Sequence, residues 1–226
     1  MDAQIDSYLT TLSESYGDNP TIKSLIQALT ISGFPIGPVA DTLIGTYVNN
    51  LKARRLKSFF EELNTGDVKL TEENIDQNDF LHAYFSVVNY VIRTRSDEKI
   101  KNFAKILKKI CIGTIDINEF EDYTAIFNEL SDREFAILAI KYQYEQNYVS
   151  KASEMNPYLL TMSYWEDFKK DVCAKVKMTE EELDPMLVRI QRTGCYSKFV
   201  GYTEDGPNER GDTTALFKRI RSLIDQ

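Results

Sequence analysis

The segment from Ser24 to Leu51 constrains the fold of this chain more than any other stretch. It contains a single charged residue, Asp41, in a chain of which 27% is charged. The sequence Gly-Phe-Pro-Ile-Gly-Pro at 33–38 interrupts it. Because proline lacks an amide hydrogen and clashes with the preceding helical turn, a straight helix through this point is costly. The segment therefore has to be placed as two apolar pieces.

Three interpretations of residues 24–51 are open. A transmembrane span needs about 20 continuous apolar residues. The break at 33–38 and the polar residues Asp41, Asn49 and Asn50 argue against one, so we do not expect constitutive membrane insertion. A buried helical hairpin, around which the other helices pack, is the interpretation that we favour. The third is a hairpin that is buried at rest and enters a membrane after a trigger. The basic residues directly after the segment suit that interpretation, because cations favour an anionic leaflet.

The net charge and the numbers of cysteine and histidine residues argue against several classes of protein. The net charge is −8 and the pI is about 4.9, so the overall field of the chain disfavours nucleic acid and anionic lipid. Three dispersed cysteines and one histidine argue against a disulfide framework and a zinc site, and no cofactor is expected. The first residues are acidic where a signal peptide would be basic, so we expect a cytoplasmic protein.

Apolar residues at helical spacing predict a mostly α fold. Residues 1–130 are expected to form a helical domain around the 24–51 hairpin. The helix from Asp97 to Ile112 has the clearest pattern, with Ser96 as its cap and acidic residues in its first turn. The predicted helices of this part are about 4–16, 21–32, 39–63, 78–93, 97–112 and 117–130.

The character of the chain changes after residue 130, and residues 131–226 are expected to form a second, smaller domain. Capping boxes begin at Ser131 and Thr179. A polar loop is predicted from Gln143 to about Met162. The remaining predicted elements are a helix around 165–176, a helix at 179–193, a strand at 195–203, a turn-rich loop at 204–212 and a last helix at 214–224.

This element order resembles a winged helix, in which helix 179–193 would be the recognition helix and 202–213 the wing. The resemblance implies DNA or protein contact through this module. Glu180, Glu181, Glu182 and Asp184 would repel a phosphate backbone, which favours protein contact. The basic residues available for contacts are Arg189, Arg192, Lys198 and Arg210.

A basic contact patch is predicted on the helical part. Lysines at helical spacing are expected to cover the polar face of helix 97–112, and further basic residues follow the apolar segment. The predicted patch consists of Lys52, Arg54, Arg55, Lys57, Lys101, Lys105, Lys108 and Lys109, with Arg93 and Arg95 nearby. It could contact nucleic acid, an acidic lipid surface or an acidic partner, or it could simply be solvated.

The sequence contains no catalytic motif. Nucleophilic catalysis needs a base near a Ser or Cys, and the sole histidine, His82, lies in a helix among aromatic residues, which favours a structural or surface role. Nucleotide-binding glycine patterns are absent from the sequence. The carboxylates around Glu119 are interpreted as a solvated face. Residues 210–212 spell the adhesion tripeptide Arg-Gly-Asp, which we interpret as chance.

The apolar segment broken at 33–38, the pair Arg54-Arg55, and the turn Arg93–Lys99 before a basic amphipathic helix together resemble uncharacterised bacterial proteins. The resemblance implies no activity and no site. We therefore expect a non-enzymatic cytoplasmic interaction or regulatory protein with a protein partner or self-association. A DNA-binding transcriptional regulator and a membrane-acting effector are the alternatives.

Overall fold

The computed structural model describes residues 3–16, 19–31, 43–65, 68, 70, 71, 73, 78–148, 156–203 and 206–225. This part of the chain forms ten helices and a two-stranded antiparallel sheet near the C-terminus, which confirms the predicted mostly α fold with a small α+β part. The elements are α1 (Ala3–Ser15), α2 (Pro20–Ile31), α3 (Leu43–Asn64), α4 (Asn78–Val91), α5 (Asp97–Cys111), α6 (Ile117–Glu129), α7 (Asp132–Asn147), α8 (Pro157–Val176), α9 (Glu180–Arg192), β1 (Tyr196–Thr203), β2 (Gly206–Thr213) and α10 (Ala215–Ile224).

The chain divides into two compact units, Met1–Thr124 and Ala125–Gln226. The division falls within α6, whereas the boundary predicted from the sequence lies after residue 130. We refer to these as the N-terminal and C-terminal units.

The N-terminal unit buries the apolar face of α2. Ile22, Leu25 and Ile26 are fully buried, and the buried hydroxyl of Tyr84 on α4 donates a hydrogen bond to the Leu25 carbonyl at 2.8 Å. The 33–38 break of the predicted hairpin lies outside the described residues. Among the helices that the structure describes, none has the length and apolarity that a membrane crossing requires.

Helix α5 follows the predicted pattern closely. The Ser96 side chain accepts a hydrogen bond from the Lys99 amide, and Asp97 and Glu98 occupy the first turn, where carboxylates complement the positive end of the helix. Ile100 and Phe103 are buried, and the helix packs against α3 and α4.

The polar loop predicted from Gln143 to about Met162 is wrong at both ends. Helix α7 continues to Asn147, and α8 begins at Pro157. The Asn156 side chain accepts a hydrogen bond from the Tyr158 amide, and proline suits the first helical position because the amide it lacks would be unpaired there. The predicted capping box of α7 is present: Glu134 donates its amide to the Ser131 hydroxyl and accepts from the Ser131 amide.

The strand predicted at 195–203 is confirmed as β1, but the turn-rich loop predicted at 204–212 is wrong. Most of that segment is strand β2, which pairs with β1 in antiparallel register from Tyr196 opposite Thr213 to Thr203 opposite Gly206. Thr213 is the one residue of β2 that favours a strand, and Gly, Pro, Asn and Asp make up most of the rest. Contacts of Asp212 with α7 and of Arg210 with α8 stabilise the strand instead.

Candidate functional site

A connected group of charged side chains surrounds Lys141 in the C-terminal unit. Lys141 lies on α7, and its side chain has 0% exposure. Its Nζ lies 3.1 Å from Oε1 of Glu145, one turn further on, and 2.7 Å from Oδ1 of Asp212 on β2. It also donates to the Tyr164 hydroxyl on α8 at 2.7 Å. One ammonium group thus joins two helices and a strand, and we call this group the Lys141 network.

The two carboxylates of the network hold further partners. Glu145 accepts hydrogen bonds from the amide and the hydroxyl of Thr213 and lies 3.2 Å from the Lys218 ammonium on α10. Asp212 accepts a hydrogen bond from the Thr161 hydroxyl at 3.0 Å. Because buried charges are tolerated when they are paired and hydrogen-bonded, the network fastens the end of β2 to α7, α8 and α10.

The electrostatics of the network keep Lys141 protonated. Burial by itself lowers the pKa of Lys141, but attraction to Glu145 and Asp212 outweighs burial, so the pKa lies above its ordinary value. A lysine acts as a nucleophile or a base when its pKa is lowered. The arrangement therefore suits a structural counter-ion and not a reactive amine.

A second set of contacts fixes the middle of β2. The Arg210 guanidinium stacks over the buried Trp165 ring of α8, 4.8 Å from its centroid. Gly211 approaches β1 so closely that a Cβ there would lie 2.4 Å from the Ser197 carbonyl oxygen and 2.5 Å from the Tyr196 hydroxyl. The Arg-Gly-Asp sequence is therefore a packed strand segment, in which each residue contacts a helix or the neighbouring strand.

The four predicted winged-helix contacts have different surroundings. Arg189 on α9 pairs with the buried Glu134 of α7 at 3.0 Å, and Lys198 pairs across the hairpin with Glu209 at 2.6 Å. Arg210 stacks on Trp165. Arg192 is exposed and forms no ion pair with the residues that the structure describes. The acidic first turn of α9 is exposed, as its sequence indicates.

Two of the four lysines predicted on the exposed polar face of α5 are buried. Lys101 is exposed and Lys105 is half-buried, but Lys108 and Lys109 are only 5% and 7% exposed. The Lys108 ammonium donates to the Glu62 and Thr65 carbonyls. Terminal carbonyls of a helix have no partner within it and carry partial negative charge, so the end of α3 draws Lys108 inward.

The predicted residues on α3 remain close to the surface. Arg54 and Lys57 are exposed, and Lys52 and Arg55 are half-buried. Lys57 lies 3.8 Å from Glu61. Arg55 donates from Nη1 to the Ile92 carbonyl at 2.6 Å, which places α3 beside the turn that carries Arg93 and Arg95.

The side chains suited to catalysis or metal binding are shielded or dispersed. Burial raises the pKa of the Cys111 thiol to about 12 and also raises those of Cys173 and Cys195, and a thiol with a raised pKa is a poor nucleophile at neutral pH. His82 is exposed and lies 3.0 Å from Glu121. The described residues contain no group of three or more His, Cys, Asp or Glu side chains placed to hold a metal ion.

The Tyr196 hydroxyl provides a test that depends on pH. It is buried and forms no hydrogen bond with the described residues, and burial followed by repulsion from Asp212 and Glu145 raises its pKa. Above the ordinary tyrosine pKa of 10.0, the unfolded chain loses this proton and the folded chain keeps it, so stability falls as the pH rises. The fall is about 1.4 kcal/mol per pH unit.

We expect Tyr196→Phe to leave the free energy of urea unfolding at pH 7 unchanged or slightly higher, because it removes an unpaired polar atom. At about pH 11 the variant should be about 1 kcal/mol more stable than the wild type. Tyr164→Phe is the contrast, since it removes a partner of Lys141 and should destabilise at pH 7. A clear loss of stability at pH 7 in Tyr196→Phe would contradict the assignment.

The Lys141 network is absent from the sequence predictions. A local signal exists, because Lys141 follows the buried Ile137 and Leu138 by four and three residues, on the face where an apolar residue is expected. The sequence prediction places its partner Glu145 in a loop, and Asp212 is 71 residues away.

Comparison with protein-family models, with curated proteins and with solved structures finds no match to this chain.

Proposed function

We propose that this protein acts by binding another protein through its C-terminal unit and has no catalytic activity. The observation that carries the proposal is the internal pairing of the Lys141 network. The charged groups that converge there are used to hold the hairpin against α7 and α8. Such a network supports a rigid surface for recognition, because rigid elements lose little conformational entropy on binding.

Exposed apolar side chains beside the hairpin supply a contact surface. Leu159 and Met162 lie three residues apart on α8 and are 51% and 41% exposed, so they are neighbours on the helix surface. The adjacent Tyr158 packs on Gly201 of β1, where a Cβ would lie 1.9 Å from the tyrosine ring. Single exposed apolar residues are ordinary, but a pair next to a fixed hairpin suits the apolar centre of a protein interface.

DNA binding by a winged helix is the second candidate, and the order α7, α8, α9, β1, β2, α10 favours it. The acidic residues at the start of α9 argue against DNA binding. The exposed first turn of α9 carries Glu180, Glu181 and Glu182, where a recognition helix would meet phosphates and base edges. Three of the four basic candidates, Arg189, Lys198 and Arg210, have contacts within the unit. The membrane-acting alternative would require α2 to expose the apolar face that it buries.

Affinity capture from a native lysate, with and without nuclease, tests the proposal. The wild type should retain a specific protein after nuclease treatment. The double variant Leu159→Glu/Met162→Glu should lose about nine-tenths of it, because interface energy concentrates in a few buried apolar residues.

Ile31→Glu/Ile112→Glu is the matched control, since it makes the same change in charge at two exposed apolar residues of the N-terminal unit, which are 86% and 51% exposed. It should retain the same protein at the wild-type level. Capture that disappears with nuclease, or that is equal in the double variant and the wild type, would contradict binding at this surface.

A further inference from the structure

The N-terminal unit has a separate basic surface at the start of α5. We call it the arginine edge and define it as Lys52, Arg54, Arg55, Arg93 and Arg95. Its parts are brought together by the hydrogen bond from Arg55 to the Ile92 carbonyl and by the packing of α3 on α5. Arg54, Arg93 and Arg95 are exposed. The edge is therefore a tertiary feature, assembled from one helix, α3, and the turn between α4 and α5.

The charge of the edge is incompletely neutralised by neighbouring groups. Lys52, Arg54, Arg93 and Arg95 form no ion pair with the described part of the chain. Among the described residues, Asp97 and Glu98 in the first turn of α5 follow directly in the sequence. Further along α3, Glu61 is paired with Lys57. Among the described residues of this edge, positive charge thus exceeds negative charge, although the chain as a whole has a net charge of −8.

We propose that the arginine edge binds a short acidic segment of a partner protein. Arginine presents a planar fork that matches a carboxylate in a bidentate way, and Arg55 is already held in position by its own hydrogen bond. The proposal concerns a surface of the N-terminal unit and stands independently of the contact proposed for the C-terminal unit.

Surface charges act over a short distance in salt solution, which favours a short acidic segment over a long polyanion. Charges on a protein surface act over about 8 Å at physiological salt, so a short peptide senses only the edge. A nucleic acid or an anionic membrane extends beyond it and meets the acidic remainder of the surface, which opposes binding.

Fluorescence anisotropy of a fluorescein-labelled deca-glutamate peptide tests the proposal on the full-length chain. The wild type should bind the peptide, and binding should weaken steadily as sodium chloride is added. Arg93→Gln/Arg95→Gln should weaken binding about tenfold, because each exposed ion pair contributes a small, separate share. Lys170→Gln/Arg192→Gln makes the same change in charge at exposed sites of the C-terminal unit and should bind as the wild type does.

Two further probes, a labelled DNA duplex and vesicles containing phosphatidylserine, are measured at the same salt concentration. Weaker binding of both supports the acidic segment. Tighter binding of either, equal loss in both double variants, or no loss in Arg93→Gln/Arg95→Gln overturns the proposal. Circular dichroism and the melting temperature establish that each variant is folded.

Discussion

Replacing Lys141 by methionine is expected to destabilise the C-terminal unit by about 3 kcal/mol, the cost of removing one partner from a buried ion pair. Methionine keeps much of the side-chain volume but leaves Glu145 and Asp212 without their shared cation. The Glu145 side chain is only 10% exposed and that of Asp212 33%, so water compensates them only in part. Urea unfolding followed by the fluorescence of the single tryptophan, Trp165, measures the effect within the correct unit.

The control for this prediction is Lys170→Met on α8, where the lysine is exposed; it should change the unfolding free energy by less than about 0.5 kcal/mol. A triple variant, Lys141→Met with Glu145→Gln and Asp212→Asn, should recover much of the loss, because it removes the uncompensated charges. If Lys141→Met costs no more than its control, the network has no role in holding the hairpin.

Gly211→Ala is expected to cost about 2–3 kcal/mol, within the range measured for overpacked sites. The new Cβ would lie 2.4 Å from the Ser197 carbonyl oxygen, which belongs to the backbone and cannot move without opening the hairpin. It would also meet the buried Tyr196 ring. Urea unfolding followed by Trp165 fluorescence measures the loss, and faster amide exchange along β1 should accompany it.

Ser197→Ala is the control in the same hairpin, because Ser197 is exposed and its loss of a hydroxyl creates no collision. It should stay within about 0.5 kcal/mol of the wild type. Wild-type stability and wild-type amide exchange in Gly211→Ala would mean that β1 and β2 are farther apart than the structure has them.

The helices that were predicted best are those whose information is local. Helix α5 has its cap at Ser96, acids in the first turn and apolar residues on one face, all within one short stretch. The cap of α7 at Ser131 and Glu134 is equally local. Periodicity and capping are physical properties of neighbouring residues, so the sequence reveals them without knowledge of the rest of the fold.

The burial of Lys108 could not be predicted from local patterns of this kind. Helical periodicity places it on the polar face of α5, yet it is buried because the end of α3 offers it two carbonyl oxygens. The candidate contact surfaces have the same character. The arginine edge depends on a hydrogen bond between Arg55 and Ile92, 37 residues apart, and no local pattern reports which helix will lie beside that turn.

The apolar segment, the two capping boxes and the helical faces are determined by the sequence itself: they specify a mostly α chain and the positions of most of its helices. The formation of strand β2, by contrast, depends on contacts that exist only in the tertiary structure. Most of its residues are typical of turns, and they form a strand because Asp212 reaches Lys141, Arg210 stacks on Trp165 and Gly211 fits closely against β1. The stabilising partners lie far away in the chain, so the free energy that favours the strand exists only after α7 and α8 have packed.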